Sequence, residues 1–380
     1  MHIEKIHDII PGLYEIFLDG SLRDHVHTQH TKFCPQFVNA VYGETIAEYF
    51  SKYNISFSLR SRTVSEVLMS NDTTTRFEIS ARRLKQLPRK QQEMLCKKFK
   101  LLITDLYENG AELGELLQAS RLSNFADTIF IDSGANSTIL DFQARSYATP
   151  DNCKLVHIPM YLYYTVSRYM YKDIVQTSNN LSNTVLVPCM KPHEHRITLL
   201  NALDRANILS TSNWSLKYDP GNVSKKSRLE YGYSTEYNST TLNFIEKHKD
   251  MLPKFLADDY VSYYSEEIME IVHSNYSWHI IAETFDDRVD FTEKVFQAFM
   301  CMHPPLILAG TGYISALRQL GFKMSLEYED CDTEQQIENI INIIKTMPPN
   351  LQEAEYNQQL CCDIDHWSNF FAKTLAEAAK

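Results

Sequence analysis

The chain has 380 residues, of which 44% are hydrophobic and 22% are charged, and its formal net charge is −11. This composition is typical of a globular protein with room for two domains, and an overall acidic charge taken alone argues against nucleic-acid binding. There is no run of about 18 apolar residues and no basic region followed by an apolar region at the start, so we expect neither a membrane span nor a secretory signal.

The eight cysteines are scattered along the chain, and none of them forms a Cys-x-x-Cys pair. Such spacing does not match a zinc cage or a disulfide framework. We therefore expect reduced thiols, a cytoplasmic location and no metal site built on cysteine.

Positive charge is concentrated in one segment of this acidic chain. Residues 58–100 contain eleven Lys and Arg against four Asp and Glu, so the segment is +7 and the remainder is −18. A local basic stripe is the pattern expected where one face of a protein contacts a polyanion. The candidate nucleic-acid contacts are Arg60, Arg62, Arg82, Arg83, Lys85, Arg89 and Lys90.

Strands and helices are predicted to alternate through the first half of the chain. Helices are expected at residues 38–53, 80–87 and 90–99, and strands at residues 55–59, 101–105, 125–132 and 156–160. This alternation predicts a parallel sheet in a first Rossmann-like domain, residues 1–175. Two of the predicted strands end in an acid, Asp105 and Asp132, and Glu108 follows the first of them.

A second domain, residues 184–347, is predicted to begin with a short strand, a basic loop and a helix. The loop carries Lys191, His195 and Arg196, which places cations at the first strand-to-helix turn. Arginine is suited to bidentate contact with a phosphate group, although a solvated basic loop would have the same composition.

Residues 277–322 read as strand, loop, helix, strand, loop, helix. Glu283 ends the first strand, Thr292 is the expected N-cap of the first helix, and Glu293 and Lys294 lie in its first turn. Pro304 and Pro305 separate this helix from the next apolar strand, and a second glycine-flanked turn follows at residues 310–312. In open α/β sheets, ligands bind at the carboxyl ends of the strands and anions bind at helix N-termini.

The remaining segments carry no chemical motif. Residues 213–243 are polar and predict a long surface loop. Residues 334–347 predict an amphipathic helix, and residues 348–380 predict a helical segment that packs back on the domains.

The ordered pieces over residues 185–325 resemble the donor-binding domain of nucleotide-sugar glycosyltransferases. The pattern is Glu-Thr, seven residues, Thr-Glu-Lys, an apolar helix, His-Pro, an apolar strand and Gly-x-Gly. It is similar to the C-terminal motif of fucosyltransferase-type enzymes, and more closely to phage-encoded glycosyltransferases. The resemblance implies a GT-B-like α/β fold in which two Rossmann-like domains face each other across a cleft.

The resemblance also implies roles for individual residues. Arg196 and Lys294, with Lys191, His195, Thr292, Gly310 and Gly312 around them, would bind the diphosphate of a UDP-sugar or a related donor. Glu293 would bind the ribose, with Glu283 nearby. Asp105, Asp132 and Glu108 are the candidates for the general base of an inverting, metal-independent transfer that needs no cofactor beyond the nucleotide sugar.

Three functions follow from these observations. The basic stripe favours a glycosyltransferase that modifies double-stranded DNA at a hydroxymethylated pyrimidine, a reaction that some phage enzymes of this type perform. A glycan-directed transferase and a non-catalytic binding module remain the alternatives. The sequence does not determine the sugar or the oligomeric state.

Overall fold

The structure of the protein is a computed structural model. It describes residues 1–6, 48–105, 125–132, 153–159, 161–163, 165–166, 184–189, 191–218, 237–256, 272, 275–283, 289, 291–325 and 331–380. The chain divides into two compact units. The first consists of Met1–Asp173 with Asp363–Lys380, and the second consists of Ile174–Cys362.

The first unit contains a six-stranded sheet whose neighbouring strands are all parallel. The strands are β1 (His2–Ile6), β2 (Ser56–Arg62), β3 (Arg76–Ser80), β4 (Lys100–Asp105), β5 (Thr128–Asp132) and β6 (Cys153–His157). Their order across the sheet is β2-β1-β3-β4-β5-β6. Strands of parallel sheets are usually buried on both faces, and the interior strands here are rich in buried apolar residues such as Leu101 and Ile129.

Three helices follow strands β2 and β3 in this unit. They are α1 (Val64–Met69), α2 (Ala81–Gln86) and α3 (Arg89–Lys98). Thr63 and Glu66 form a capping box at the start of α1, and Pro88 separates α2 from α3 as predicted. Leu84, Leu95 and Phe99 pack with the strands in one buried apolar cluster.

Strands β1 and β3 were not predicted, because charged residues interrupt their apolar pattern. Arg76 and Glu78 lie on β3 and are only 2% exposed. The guanidinium of Arg76 donates to the carbonyls of Leu101 and Asp127, both at 2.9 Å, and its Nη2 lies 2.7 Å from the Asp127 carboxylate. A buried charge is tolerated where it is paired and hydrogen-bonded in this way.

The second unit contains a four-stranded parallel sheet in the order β10-β9-β7-β8. The strands are β7 (Val185–Pro188), β8 (Asn213–Ser215), β9 (Trp278–Ala282) and β10 (Pro305–Leu308). The expectation of a surface loop from residue 213 is wrong for β8, since Trp214 is 5% exposed and pairs in register with Val187.

The second unit contains six helices in its described part. They are α4 (Glu194–Arg205), α5 (Ser239–His248), α6 (Glu293–Met300), α7 (Tyr313–Gln319), α8 (Thr333–Thr346) and α9 (Leu351–Cys362), with short 3-10 turns at Leu209–Thr211 and Lys249–Met251. Helix α4 begins earlier than predicted. His195 and Arg196 therefore lie in its first turn and not in the preceding loop.

The last helix, α10 (Ile364–Ala378), belongs to the first unit. Asp363 caps it by accepting a hydrogen bond from the backbone of His366 at 2.8 Å. None of the helices in the described part of the chain is both long and apolar enough to cross a membrane. The predicted α/β class, with one parallel sheet in each half of the chain, is confirmed.

Candidate functional site

The predicted donor residues of the second unit converge at the carboxyl edge of its sheet. Glu283 directly follows β9, while α4 follows β7, α6 follows β9 and α7 follows β10. Because the strands are parallel, the first turns of these three helices lie at the same edge as Glu283. Thr292 is the N-cap of α6, as predicted, and its hydroxyl accepts from the backbone of Lys294 at 3.4 Å.

The carboxylate of Glu283 is buried and surrounded by donors. Only 1% of the residue is exposed. Its Oε2 accepts from the Thr292 hydroxyl at 2.7 Å and from Lys294 Nζ at 3.4 Å, and its Oε1 accepts from the Tyr313 hydroxyl at 2.5 Å. Lys294 Nζ also donates to the Thr292 hydroxyl at 3.0 Å. A single carboxylate therefore connects the first turns of α6 and α7.

The main-chain carbonyl of Glu283 connects the same point to α4. It accepts from Arg196 Nε at 3.3 Å and lies 2.9 Å from His195 Nε2. A carbonyl oxygen can only accept, so this contact assigns a hydrogen to Nε2 of His195. Arg196 and Lys294, two of the cations that were predicted to bind a diphosphate, are thus held around one residue at the end of β9.

Arg196 is the most deeply buried cation of the group, at 2% exposure. Its Nη1 donates to the Lys191 carbonyl at 3.4 Å, whereas its Nη2 has no hydrogen-bond partner among the described residues. A buried guanidinium nitrogen without an acceptor destabilises a fold by about 1–3 kcal/mol or more. An anionic oxygen is the group that this nitrogen would bind most strongly.

Cys189, next to the end of β7, lies close enough to Arg196 and Lys294 to be affected by their charges. Burial raises the pKa of its thiol to about 11, while the nearby charges of Arg196 and Lys294 act in the opposite direction. The thiol is therefore protonated at neutral pH, and both cations act on the same buried position. Sequence analysis did not assign Cys189 to the site.

The other predicted donor residues surround this cluster. Glu293 is partly buried in the first turn of α6, and its carboxylate has no hydrogen-bond partner among the described residues. Gly312 adopts a φ of 87°, a backbone conformation that is strained for residues with a side chain. A Cβ at this position would contact Val289 at an ordinary distance of 3.8 Å. The Gly310 carbonyl accepts from the backbone of Tyr313 at 3.2 Å, and Lys191 is exposed.

Tyr313 is the site residue that the sequence analysis missed. It is 1% exposed and is the first residue of α7, immediately after the glycine turn. Its position after an apolar strand and a glycine turn, at the same sheet edge as Glu283, could have indicated that it belongs to the site. Its side chain, however, reads as an ordinary core aromatic in the sequence.

In the first unit, the structure places the predicted acids at adjacent strand ends. Asp105 and Asp132 are register partners at the ends of β4 and β5, and His157 is the partner of Asp132 at the end of β6. Three ionisable residues therefore stand in a row at the carboxyl edge of this sheet. Glu108 lies outside the described residues.

Two of the predicted nucleic-acid contacts are engaged within the protein. Arg62 forms an ion pair with Glu4 at 2.7 Å and lies over the ring of Phe77, and Arg89 pairs with Glu93 at 3.1 Å. Arg83 is partly buried, while Lys85 and Lys90 are exposed. The side chains of Arg60 and Arg82 lie outside the described part of the chain.

Comparison with known proteins finds similar solved structures but no matching sequence family. The sequence matches no protein-family model, and it has no significant match among curated proteins. The chain is similar in structure to T4 phage β-glucosyltransferase, with a TM-score of 0.40 and 12% identity over 100% of this chain and 98% of that chain.

Two further similarities have the same character. A DNA-modifying β-glucosyltransferase studied with and without uridine diphosphoglucose gives a TM-score of 0.39 and 11% identity, over 100% of this chain and 97% of that chain. A UDP-forming α,α-trehalose-phosphate synthase from Burkholderia vietnamiensis gives 0.46 and 11%, over 89% and 78%. At these identities and TM-scores, the similarities carry no argument about the activity of this chain.

Proposed function

We propose that the protein is a glycosyltransferase that uses a nucleoside-diphosphate sugar, with UDP as the favoured nucleotide. The observation that supports this most is Nη2 of Arg196, which has no partner in the described part of the chain and is buried beside Lys294 and the first turns of α4 and α6. A diphosphate oxygen would give that nitrogen its missing acceptor. Residues 184–347 would then be the donor domain, and residues 1–175 the acceptor domain.

The charge of the cluster suits a leaving diphosphate. Arg196 and Lys294 are cations and Glu283 is an anion held between them, which leaves one positive charge in excess. The helix N-termini of α4 and α6 add partial positive charge at the same edge. Positive groups already fixed in position stabilise negative charge as it develops on a leaving group, so we propose a metal-independent transfer.

Other parts of the donor would be held by residues around this cluster. Glu293 is proposed to accept hydrogen bonds from the ribose hydroxyls, since its carboxylate has no partner among the described residues. Lys191 and His195 would contact the phosphates from the start of α4. Glu283 would act mainly by keeping Thr292 and Lys294 in place.

The proposed acceptor is the hydroxymethyl group of a modified pyrimidine in double-stranded DNA. An inverting transfer needs a carboxylate that deprotonates this hydroxyl. Asp105, Asp132 and Glu108 are the proposed candidates, and the adjacent strand ends of Asp105 and Asp132 support them. The base must also become accessible, either in the major groove or outside the stack.

The donor site is tested by titration calorimetry with UDP. We expect Arg196→Gln to weaken UDP binding about tenfold to a hundredfold, since a hydrogen bond to a charged group contributes about 1.5–3 kcal/mol. Arg196→Lys keeps the positive charge but cannot form the bidentate contact of a guanidinium, so it should have an intermediate effect on UDP affinity. Arg205→Gln is the matched control because Arg205 is exposed on the same helix. Equal affinity in all four proteins would refute the proposed pocket.

The acceptor is tested by transfer from labelled UDP- and GDP-sugars to DNA containing 5-hydroxymethylcytosine. Label on the DNA supports the proposal, and its loss in Asp105→Asn, Asp132→Asn or Glu108→Gln would identify the base. Label only on oligosaccharides would favour the glycan-directed alternative. UDP binding without transfer to any acceptor would favour the non-catalytic binding module.

A further inference from the structure

Helix α3 presents an exposed face that differs from the rest of the predicted basic stripe. Lys90, Met94, Lys97 and Lys98 lie on this face, and Met69 at the end of α1 extends it; we name these five residues the lysine–methionine face. Met94 is 41% exposed and Met69 is 76% exposed. Single exposed apolar side chains are common at protein surfaces, so the charge of this face, and not its methionines, decides what it can bind.

Helical spacing explains why these residues share a face. Lys90, Met94 and Lys97 are four and three positions apart, so their side chains lie on one stripe of α3. The opposite stripe contains Leu95 and Cys96, which are fully buried in the core. The helix is therefore fixed on its apolar side and open on its basic side.

A hydrogen bond joins the end of α1 to this stripe. Lys98 Nζ donates to the Ser70 carbonyl at 2.8 Å, and Ser70 is the C-cap of α1 next to Met69. The two exposed methionines therefore belong to one continuous surface with the three lysines.

The positive charges of the lysine–methionine face have no ion-pair partner in the part of the chain that the structure describes. The nearest acid along α3, Glu93, is paired with Arg89 at 3.1 Å. Within the described residues, no acidic side chain forms an ion pair with Lys90 or Lys97. Three positive charges thus stand together on a chain whose net charge is −11.

We infer that the lysine–methionine face docks on the phosphate backbone of a DNA duplex. This inference rests on the proposed DNA acceptor and specifies which surface binds it. Lys90 and Lys98 are eight positions apart on the helix, or about 12 Å, and a duplex carries one charge per about 1.7 Å of its axis. The face can therefore contact about three phosphates, while Met69 and Met94 cover the apolar sugar edges between them.

The same geometry disfavours an anionic membrane as the partner. A helix that binds at a membrane surface inserts its apolar face between the lipids. The apolar face of α3 is already buried against the sheet, so only the two methionines remain for insertion.

The test is the salt dependence of binding to an unmodified duplex of about 20 base pairs, measured by fluorescence anisotropy. We expect the variant Lys90→Gln/Lys97→Gln/Lys98→Gln to lower the slope of log K against log salt by about 2–3, because each phosphate contact contributes about 0.9. Its affinity near 0.1 M salt should fall more than tenfold. The double variant Lys90→Gln/Lys97→Gln, which keeps the Lys98–Ser70 contact, should lower the slope by about 2.

Two controls separate this inference from the proposed function. Lys345→Gln removes an exposed lysine of α8 and should leave the slope unchanged. UDP affinity should also be unchanged in the triple variant, which shows that the donor site is intact. A wild-type slope in the triple variant would overturn the inference while leaving the donor site standing. Binding to phosphatidylserine vesicles in place of DNA, lost in the same variant, would overturn it in favour of a membrane.

Discussion

At the scale of single residues, Glu283 determines how the proposed donor site is arranged. Its carboxylate accepts from three side chains, and its carbonyl accepts from α4. A carboxylate with three donors has little capacity left for a ligand. We therefore expect ligand contacts to come from Arg196 and Glu293, whereas Glu283 holds the neighbouring donors in position.

Tyr313 provides the residue-scale test of this arrangement. We expect Tyr313→Phe to lower the free energy of unfolding by about 1–3 kcal/mol, because Oε1 of the buried Glu283 loses its only described donor. UDP affinity should fall less than it does in Arg196→Gln. Urea unfolding and titration calorimetry measure both effects.

Tyr356→Phe is the matched control for this substitution. Tyr356 is partly buried and lies beneath Lys323, with 3.9 Å between Nζ and the ring centroid, and its hydroxyl has no described hydrogen bond. Unfolding free energies that are equal for both variants would contradict the role of Tyr313.

A second residue-scale prediction concerns the buried pair His279 and His303, whose Nδ1 atoms lie 3.3 Å apart. Burial, and then the neighbouring His303, hold the pKa of His279 well below its ordinary value. The unfolded chain gains a proton at His279 near pH 6.5, whereas the folded chain does not. The free energy of unfolding should therefore decrease as pH falls below about 6.5, by up to about 1.4 kcal/mol per pH unit for this residue.

Urea unfolding at several values between pH 7.5 and pH 5 checks this sign. His279→Gln should reduce the slope, because it removes the group that the unfolded state protonates. A slope that is the same in the variant and in the unmodified protein would assign the pH dependence to other residues.

At the scale of elements, α10 completes the core of the first unit. Trp367 is fully buried on this helix, and its carbonyl accepts from the Tyr163 hydroxyl at 2.8 Å. Phe371, one turn further on, packs against Tyr163 and Phe50, with ring centroids 5.3 Å and 5.6 Å apart. The end of the chain is therefore held by aromatic packing.

We expect Trp367→Ala to destabilise the first unit by about 3–5 kcal/mol, since it removes a large buried side chain. Below the new melting temperature, UDP affinity should stay at its original value, because the proposed donor residues lie in the other unit. Differential scanning calorimetry and UDP titration test the two parts separately. Lys373→Ala, at an exposed position of the same helix, is the control, and an equal loss of stability in both variants would contradict the packing role.

At the scale of the whole molecule, each half of the chain contains a parallel α/β sheet with ionisable residues at its carboxyl edge. In the second unit these are the cations around Glu283, and in the first unit they are Asp105, Asp132 and His157. The proposed function assigns the donor to the second unit and the acceptor to the first.

The sequence by itself determined the features that depend on local signals. The Thr292 cap, the break at Pro88 and the apolar strands β4, β5, β7, β9 and β10 were predicted, because capping, proline geometry and short apolar runs act over a few residues. Strands β1 and β3 escaped prediction, since the charges on β3 are compensated by residues distant in the chain, such as Asp127.

Only the tertiary structure decided how the candidate site is assembled. Arg196 and Glu283 are 87 positions apart, and Tyr313 and Glu283 are 30 apart, so no local pattern indicates that they touch. Their meeting depends on the parallel pairing of β7, β9 and β10, which brings the turns after these strands to one edge of the sheet. Nη2 of Arg196 has no acceptor among the described residues, and this too is a property of packing, because whether a buried donor finds an acceptor depends on every element around it.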